Sequence, residues 1–231
     1  MRPYHSGSLY YNYKNFYSIV LLALVDAQYQ FIYIQVGAEG RNSDGGVFLS
    51  SHLKRYLDMD NNPLQIPNPQ DLAGCRDPLA YYFVADDAFR LNYTTMKPYG
   101  RCHLNARQRI FNKRLSRGRR TVENAFGIMA QRFRVLLHCI ENQPKQAEVM
   151  VTAICILHNF LRSRSPDLYI PPGSIDEQLP NNQFNPGTWR QEPTLTELKR
   201  MSGHNAAEYA RTMRDRLSNY FLSPQGQMSW Q

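Results

Sequence analysis

Residues 16–36 read FYSIVLLALVDAQYQFIYIQV, and this stretch decides the fold. Positions 16–25 are apolar and partly β-branched, which predicts a central strand ending at Asp26. The longest apolar run, Ile19 to Val25, is seven residues long. A membrane span needs about 18 or more, so the run reads as a buried strand. Positions 31–36 alternate, with Phe31, Tyr33 and Gln35 opposite Ile32, Ile34 and Val36. That predicts a second strand, and the short link 27–30 makes it the antiparallel partner of the first. Asp26 is expected to cap this turn. Gly37 and Gly40 are expected to end the second strand.

Upstream, residues 1–15 are rich in Tyr, Ser, Gly and Asn and predict a loop. Tyr4, Tyr10, Tyr11, Tyr13 and Tyr17 have two readings, stacking on bases and packing against the sheet, and packing is the expectation. Downstream, Ser43-Asp44 signals a helix start. Val47, Phe48, Leu49, Leu53 and Leu57 then share a helical stripe over 47–57. The proline- and asparagine-rich stretch 58–78 predicts a surface loop. Residues 79–85 predict a third strand with Asp86-Asp87 at its end, and 93–101 a loop. Two basic helices are expected at 105–117 and 119–137, the second striped by Val122, Phe126, Met129, Phe133 and Leu136. The stretch 146–161 is apolar nearly all round and predicts a buried helix. Prolines 166, 171, 172, 180, 186 and 193 make 163–193 read as a poorly ordered linker. A last amphipathic helix is expected over 206–221, with Tyr209, Met213, Leu217 and Tyr220 on one stripe. The predicted organisation is a 1–162 domain, a 163–205 linker rich in Pro and Asn, and a 206–231 helix and tail. The order strand, strand, helix, strand, then basic helices, predicts an α/β fold: an RNase H-like mixed sheet flanked by helices.

The 231 residues carry a net charge of +8, 42% hydrophobic and 12% aromatic residues, enough for a core and too apolar for a wholly disordered chain. The charge is local. Ten Lys or Arg lie between Arg101 and Arg134, against the single acid Glu123. Such a field suits a polyanion, nucleic acid above all; a solvated helix face is the alternative reading. The four cysteines form no CxxC pair, which argues against a zinc ribbon or disulfide scaffold and for a reducing compartment. No signal-peptide pattern opens the sequence.

Three carboxylates sit where chemistry is possible. Asp86 follows a strand expected to be buried, Asp44 follows a glycine-broken strand end, and Glu123 lies on an amphipathic helix. Acids from three separate elements suit a divalent ion: Mg²⁺ takes a few carboxylates, completing its shell with water and substrate phosphate. Paired ions would stabilise in-line attack on a phosphodiester. Plainer roles are also open: Asp86 and Asp44 as caps, Glu123 as a helix partner of Arg119 or Arg120. His158 has two readings, an indirect contact that supports the metal ligands and a structural hydrogen bond, and structure is the commoner outcome. Gly127 is expected to serve close packing, and Cys139 and Cys155 to lie in the core.

Five blocks occur in order: Gly37-Ala38-Glu39-Gly40-Arg41-Asn42-Ser43-Asp44; Phe83-Val84-Ala85-Asp86-Asp87-Ala88-Phe89; Phe111-Asn112-Lys113; Arg119-Arg120-Thr121-Val122-Glu123-Asn124-Ala125-Phe126-Gly127 with Arg132-Phe133-Arg134; and Ile156-Leu157-His158-Asn159-Phe160. Over about residues 5–162 they resemble the catalytic domain of PIF/Harbinger-type DDE transposases and their domesticated nuclease relatives. The resemblance implies an RNase H-like fold, a divalent Mg or Mn cofactor and DNA strand cleavage. It matches Asp86 to the acid after the central strand, Glu123 to the helix-borne acid and Asp44 to a further metal contact. Asp87 falls where the family pattern has a small residue. Arg117, Arg119, Arg120 and Arg134 are expected to bind phosphates. DNA, and a separate DNA-binding protein, are the implied partners; the nucleus is the implied compartment; no membrane and no organic cofactor are expected. The family's first aspartate lies on an opening strand upstream of the segment resembling residues 6–14. That strand is expected to be missing here, and Asp26 is expected to cap its turn rather than to replace the absent acid.

Overall fold

The computed structural model describes residues 2–4, 6–75, 77–100, 102–179, 183–191, 195 and 206–230. In chain order the elements are β1 (Ile19–Val25), β2 (Phe31–Glu39), α1 (Asp44–Leu49), α2 (His52–Leu57), β3 (Phe83–Val84), β4 (Thr95–Met96), α3 (Ala106–Arg132), α4 (Pro144–Arg164), α5 (Pro166–Tyr169), β5 (Glu177–Gln178), β6 (Phe184–Asn185) and α6 (Glu208–Tyr220). Two 3₁₀ turns occur at Arg134–Leu137 and Thr188–Gln191. Among the described residues the chain is a mixed α/β protein with no closed barrel. Its described strands pair two by two, as β1–β2, β3–β4 and β5–β6. No helix among the described residues is long and apolar enough to cross a membrane.

The backbone divides into two compact units, Met1–Ser43 with Arg120–Lys199, and Asp44–Arg119 with Arg200–Gln231. The first is built on the β1–β2 hairpin. Asp26 caps its turn as expected, Oδ1 accepting from the backbone N–H of Gln28 (2.9 Å) and of Gln30 (2.8 Å). The ladder has register shifts between Leu24 and Val25 and between Val20 and Leu21. Val25 pairs with Phe31 and Leu24 with Tyr33, so Ile32 is an extra, bulged residue and is 61% exposed. The bulge inverts the alternation expected for β2. Ile34 and Val36 join Phe31 on the core side, opposite Ile19, Leu21, Ala23 and Val25 of β1. Gly37, expected to end β2, is the second extra residue. It adopts φ +100°, and a Cβ there would lie 2.9 Å from the Glu148 side chain. A glycine bulge lets the strand continue to Glu39 where any other residue would be strained.

The core of this unit is Phe31, Ala125, Met129, Val151, Ile154 and Cys155, from the hairpin, α3 and α4. Burial pushes the Cys155 thiol up to about 11, so it is an inert core group. Cys139, expected in the core, is exposed. The α4 helix starts on Pro144, at a position where a missing N–H costs nothing. Its expected all-round burial does not occur: Val149 is 70% and Ile156 62% exposed. One helix face meets β2 and α3, and nothing described covers the other.

The second unit buries Leu79, Leu91, Met96, Tyr99, Phe111, Leu115, Ala210, Met213 and Leu217 together. The stripe on α6 is therefore Ala210, Met213 and Leu217; Tyr209, assigned to it from spacing, is 64% exposed. The helix expected over 47–57 is two helices. Ser51 interrupts it, its hydroxyl donating to Phe48 O (2.6 Å) and accepting from Lys54 N (3.0 Å) as the N-cap of α2. The expected strand 79–85 shortens to Phe83–Val84. Its parallel partner is Thr95–Met96, inside a stretch read as loop. The two basic helices are one, α3, running through Gly118. The stretch read as a poorly ordered linker carries α5, the β5–β6 hairpin and a 3₁₀ turn over its described residues; 180–182, 192–194 and 196–205 lie outside them.

Candidate metal and nucleic-acid site

Asp86 ends β3. That strand is held by Phe83 N to Thr94 O (2.8 Å) and Ala85 N to Met96 O (2.9 Å). These bonds aim the next carboxylate out of the ladder. Its Oδ1 accepts from Asp87 N (2.6 Å) and lies 3.4 Å from Arg119 Nη1. Both side chains are largely buried. Asp87 faces elsewhere, paired with Lys97 at 3.2 Å. Asp44, in the same unit, opens α1 and is half-buried.

Glu123 belongs to the other unit, on α3. Its Oε2 accepts from Arg190 Nη2 at 3.1 Å, a partner 67 residues away in the chain. Arg190 also grips Asp176 through Nε, at 2.8 and 3.0 Å to the two carboxylate oxygens. The hydrogen bonds to Asp176 are the largest cause of a raised Arg190 pKa, with Glu123 adding to them. Asn124, next to Glu123, ties this arrangement down. Its Oδ1 accepts from Trp189 Nε1 (2.8 Å) and Asp176 N (3.1 Å). Gly127 is close-packed as expected, and the neighbour is Trp189: a Cβ on Gly127 would collide with the indole ring of Trp189. Gly127→Ala should therefore destabilise. Helix propensity favours Ala by ~1 kcal/mol, while forcing the indole aside costs about 1–3 kcal/mol. A thermal melt reads the loss, and red-shifted Trp189 emission in a Trp230→Phe background reads its cause. Unchanged melting and emission would contradict this packing.

Asp176, Trp189 and Arg190 were missed from sequence, because proline density concealed them. The one available signal was a Trp-Arg pair following Pro186-Gly187.

The basic residues are mostly engaged within the protein. Arg117 stacks on the Trp230 ring at 3.5 Å and Arg119 faces Asp86. Arg120 bonds Gln178 (3.2 Å) and lies over Phe184 at 5.0 Å. Arg134 is exposed.

His158 is fully buried in its structural role. Nε2 lies 2.7 Å from Tyr29 O and Nδ1 2.8 Å from the Tyr169 hydroxyl. A carbonyl only accepts, so Nε2 carries the proton and Nδ1 accepts from Tyr169. Asn159 accepts from Phe31 N and donates to Phe31 O, both at 2.8 Å. These two residues hold the hairpin turn to α4. Burial is the main cause that lowers the His158 pKa. The unfolded chain, titrating near ~6.5, then takes up the proton first. The stability His158 provides is present above that pH and is lost as pH falls toward the native value. Urea midpoints between pH 8 and 5 should fall less steeply in His158→Gln than in the wild type; parallel curves would refute this.

Hard carboxylate oxygens without thiolate or imidazole suit Mg²⁺ or Mn²⁺. Asp86 and Glu123 each face a guanidinium, a cation already standing beside the charge. Among the described residues, no three acid, His or Cys side chains converge on one point. Mg²⁺ is commonly held by one or two carboxylates with water and phosphate.

A family model described as DDE superfamily endonuclease matches residues 2–159. No curated protein and no solved structure matched the chain. That match spans more than half of the sequence and takes in β1, β2, Asp44, Asp86, Glu123 and His158: the chain belongs to the DDE superfamily endonucleases.

Proposed function

We propose that the chain acts on DNA as a divalent-metal-dependent endonuclease or transposase derivative of the PIF/Harbinger type, on an RNase H-like core. The observation that supports this is the family match over residues 2–159, within which an acid follows β3, Asp86, and another lies on α3, Glu123. Asp86, Glu123 and Asp44 are the acids that the family resemblance assigns to the metal. A divalent ion bound there supplies activation of the attacking oxygen and neutralisation of charge at phosphorus. Arg134 and exposed Lys113 contact backbone phosphates, which position DNA without reading its sequence. DNA is the partner under this reading, a separate DNA-binding protein assists, and the nucleus is the compartment.

A second reading, DNA binding without cleavage, is favoured by the ion pairs with Arg119 and Arg190, since Asp86 and Glu123 are already charge-balanced. Supercoiled plasmid with Mg²⁺ or Mn²⁺, against an EDTA control, separates the two. Metal-dependent nicking supports cleavage. Salt-sensitive binding without nicking supports the second reading, and neither binding nor nicking would reject both.

A further inference from the structure

We propose that residues 170–179 and 183–191 form a strap in which Arg190 competes with a divalent cation for the Glu123 carboxylate. The inference rests on Glu123 being a metal acid. Four observations in one unit carry it. Trp189 is buried against Gly127, where no larger residue leaves room. Trp189 Nε1 and Asp176 N both end on Asn124 Oδ1, beside Glu123 in sequence. The Asp176 side chain is 1% exposed and accepts from Gly187 N at 3.0 Å as well as from Arg190. Arg190 Nη2 then reaches Glu123 Oε2 at 3.1 Å.

The hierarchy within this network sets the consequence. A buried carboxylate needs a counter-charge, so Asp176 holds Arg190 whether or not Glu123 is occupied. The guanidinium stacks on the Trp189 ring at 4.3 Å, which limits its movement further. Glu123 is the outer of the two carboxylates and the one a cation can reach. An approaching ion meets a fixed positive charge at hydrogen-bond distance from its ligand. Charge repulsion at such a separation weakens binding, and the occupied Oε2 is withheld from the ion. Displacing Trp189 from Asn124 and Gly127 withdraws Arg190 from Glu123 Oε2. The strap is thus a restraint on metal loading built into the helix that carries the acid.

The test measures Mn²⁺ dissociation constants by electron paramagnetic resonance of free Mn²⁺, without DNA. Arg190→Gln alone strands the buried Asp176, so the informative variant is Asp176→Asn with Arg190→Gln, an uncharged pair of similar shape. It should bind Mn²⁺ about threefold or more tighter than the wild type, because Glu123 Oε2 is released from Arg190 while the net charge of the substituted pair is unchanged. Adding Glu123→Gln should cancel the gain. Equal affinity in wild type and double variant, with Glu123-dependent binding in both, overturns the strap and leaves the metal reading standing. A gain that survives Glu123→Gln also overturns the strap. Absence of Glu123-dependent binding in every variant removes Glu123 as a metal acid, and the strap with it.

Discussion

Asp86→Asn and Glu123→Gln should each reduce plasmid nicking by about a hundredfold or more, because a bound metal contributes several kcal/mol to the transition state. The substitutions keep shape and remove charge. The asparagine amide in Asp86→Asn retains a carbonyl oxygen for the Asp87 N–H, so the turn after β3 survives. Arg119 loses its carboxylate contact at 3.4 Å, at a cost of about 1 kcal/mol for a largely buried charged interaction. Circular dichroism should therefore show folded protein in both variants, with a lowered melting point in Asp86→Asn. Glu123→Gln should be milder for stability, since Asp176 still neutralises Arg190. Nicking that continues unchanged in either variant would exclude that acid from the reaction. Losing two acids on different elements should not be additive, because residues acting as one unit fail together.

Phe111→Ala is the substitution expected to damage the fold most, by about 3–5 kcal/mol. The ring is fully buried between Tyr99, edge-on at 5.2 Å, and Phe221, stacked at 5.7 Å. It joins α3 to the segment before it and to the end of α6. The cavity cannot close easily, because Tyr99 is tied by its hydroxyl to Asp215 at 2.6 Å and by its backbone N–H to Asn112 at 2.8 Å. A loss of that size approaches the whole stability of a small unit. The variant should show a sharply reduced urea midpoint or fail to accumulate as soluble protein. A loss under ~1 kcal/mol would mean the site repacks and the core differs from the one described.

Local chemistry was legible in the sequence wherever neighbours in the chain decide the outcome. The hairpin pairing of β1 and β2 follows from two apolar runs and a short link, and the Asp26 cap follows from a carboxylate before a turn. The buried, hydrogen-bonded role of His158 follows from a polar residue on an apolar helix. The acids Asp86 and Glu123 stood out by position, one after a strand and one alone in a basic run. The bulge at Ile32 was not legible. It depends on which residues of β1 face each residue of β2, and a slip of one inverts the whole face. The break at Ser51 was also hidden, because a serine caps a helix only when its hydroxyl meets an open N–H.

What the chain by itself determined, then, is the set of local elements and the family to which its motifs belong. Tertiary structure alone decided the partners of the charges. Arg119 meets Asp86 and Arg190 meets Glu123 and Asp176 across separations of 33, 67 and 14 residues. Composition made 163–193 read as linker, since prolines forbid a long helix or a central strand. Yet Trp189 finds a slot that exists only because Gly127 lacks a side chain and Asn124 has an oxygen to offer. Electrostatic and packing complementarity between distant segments is a property of their meeting, and neither segment carries it alone.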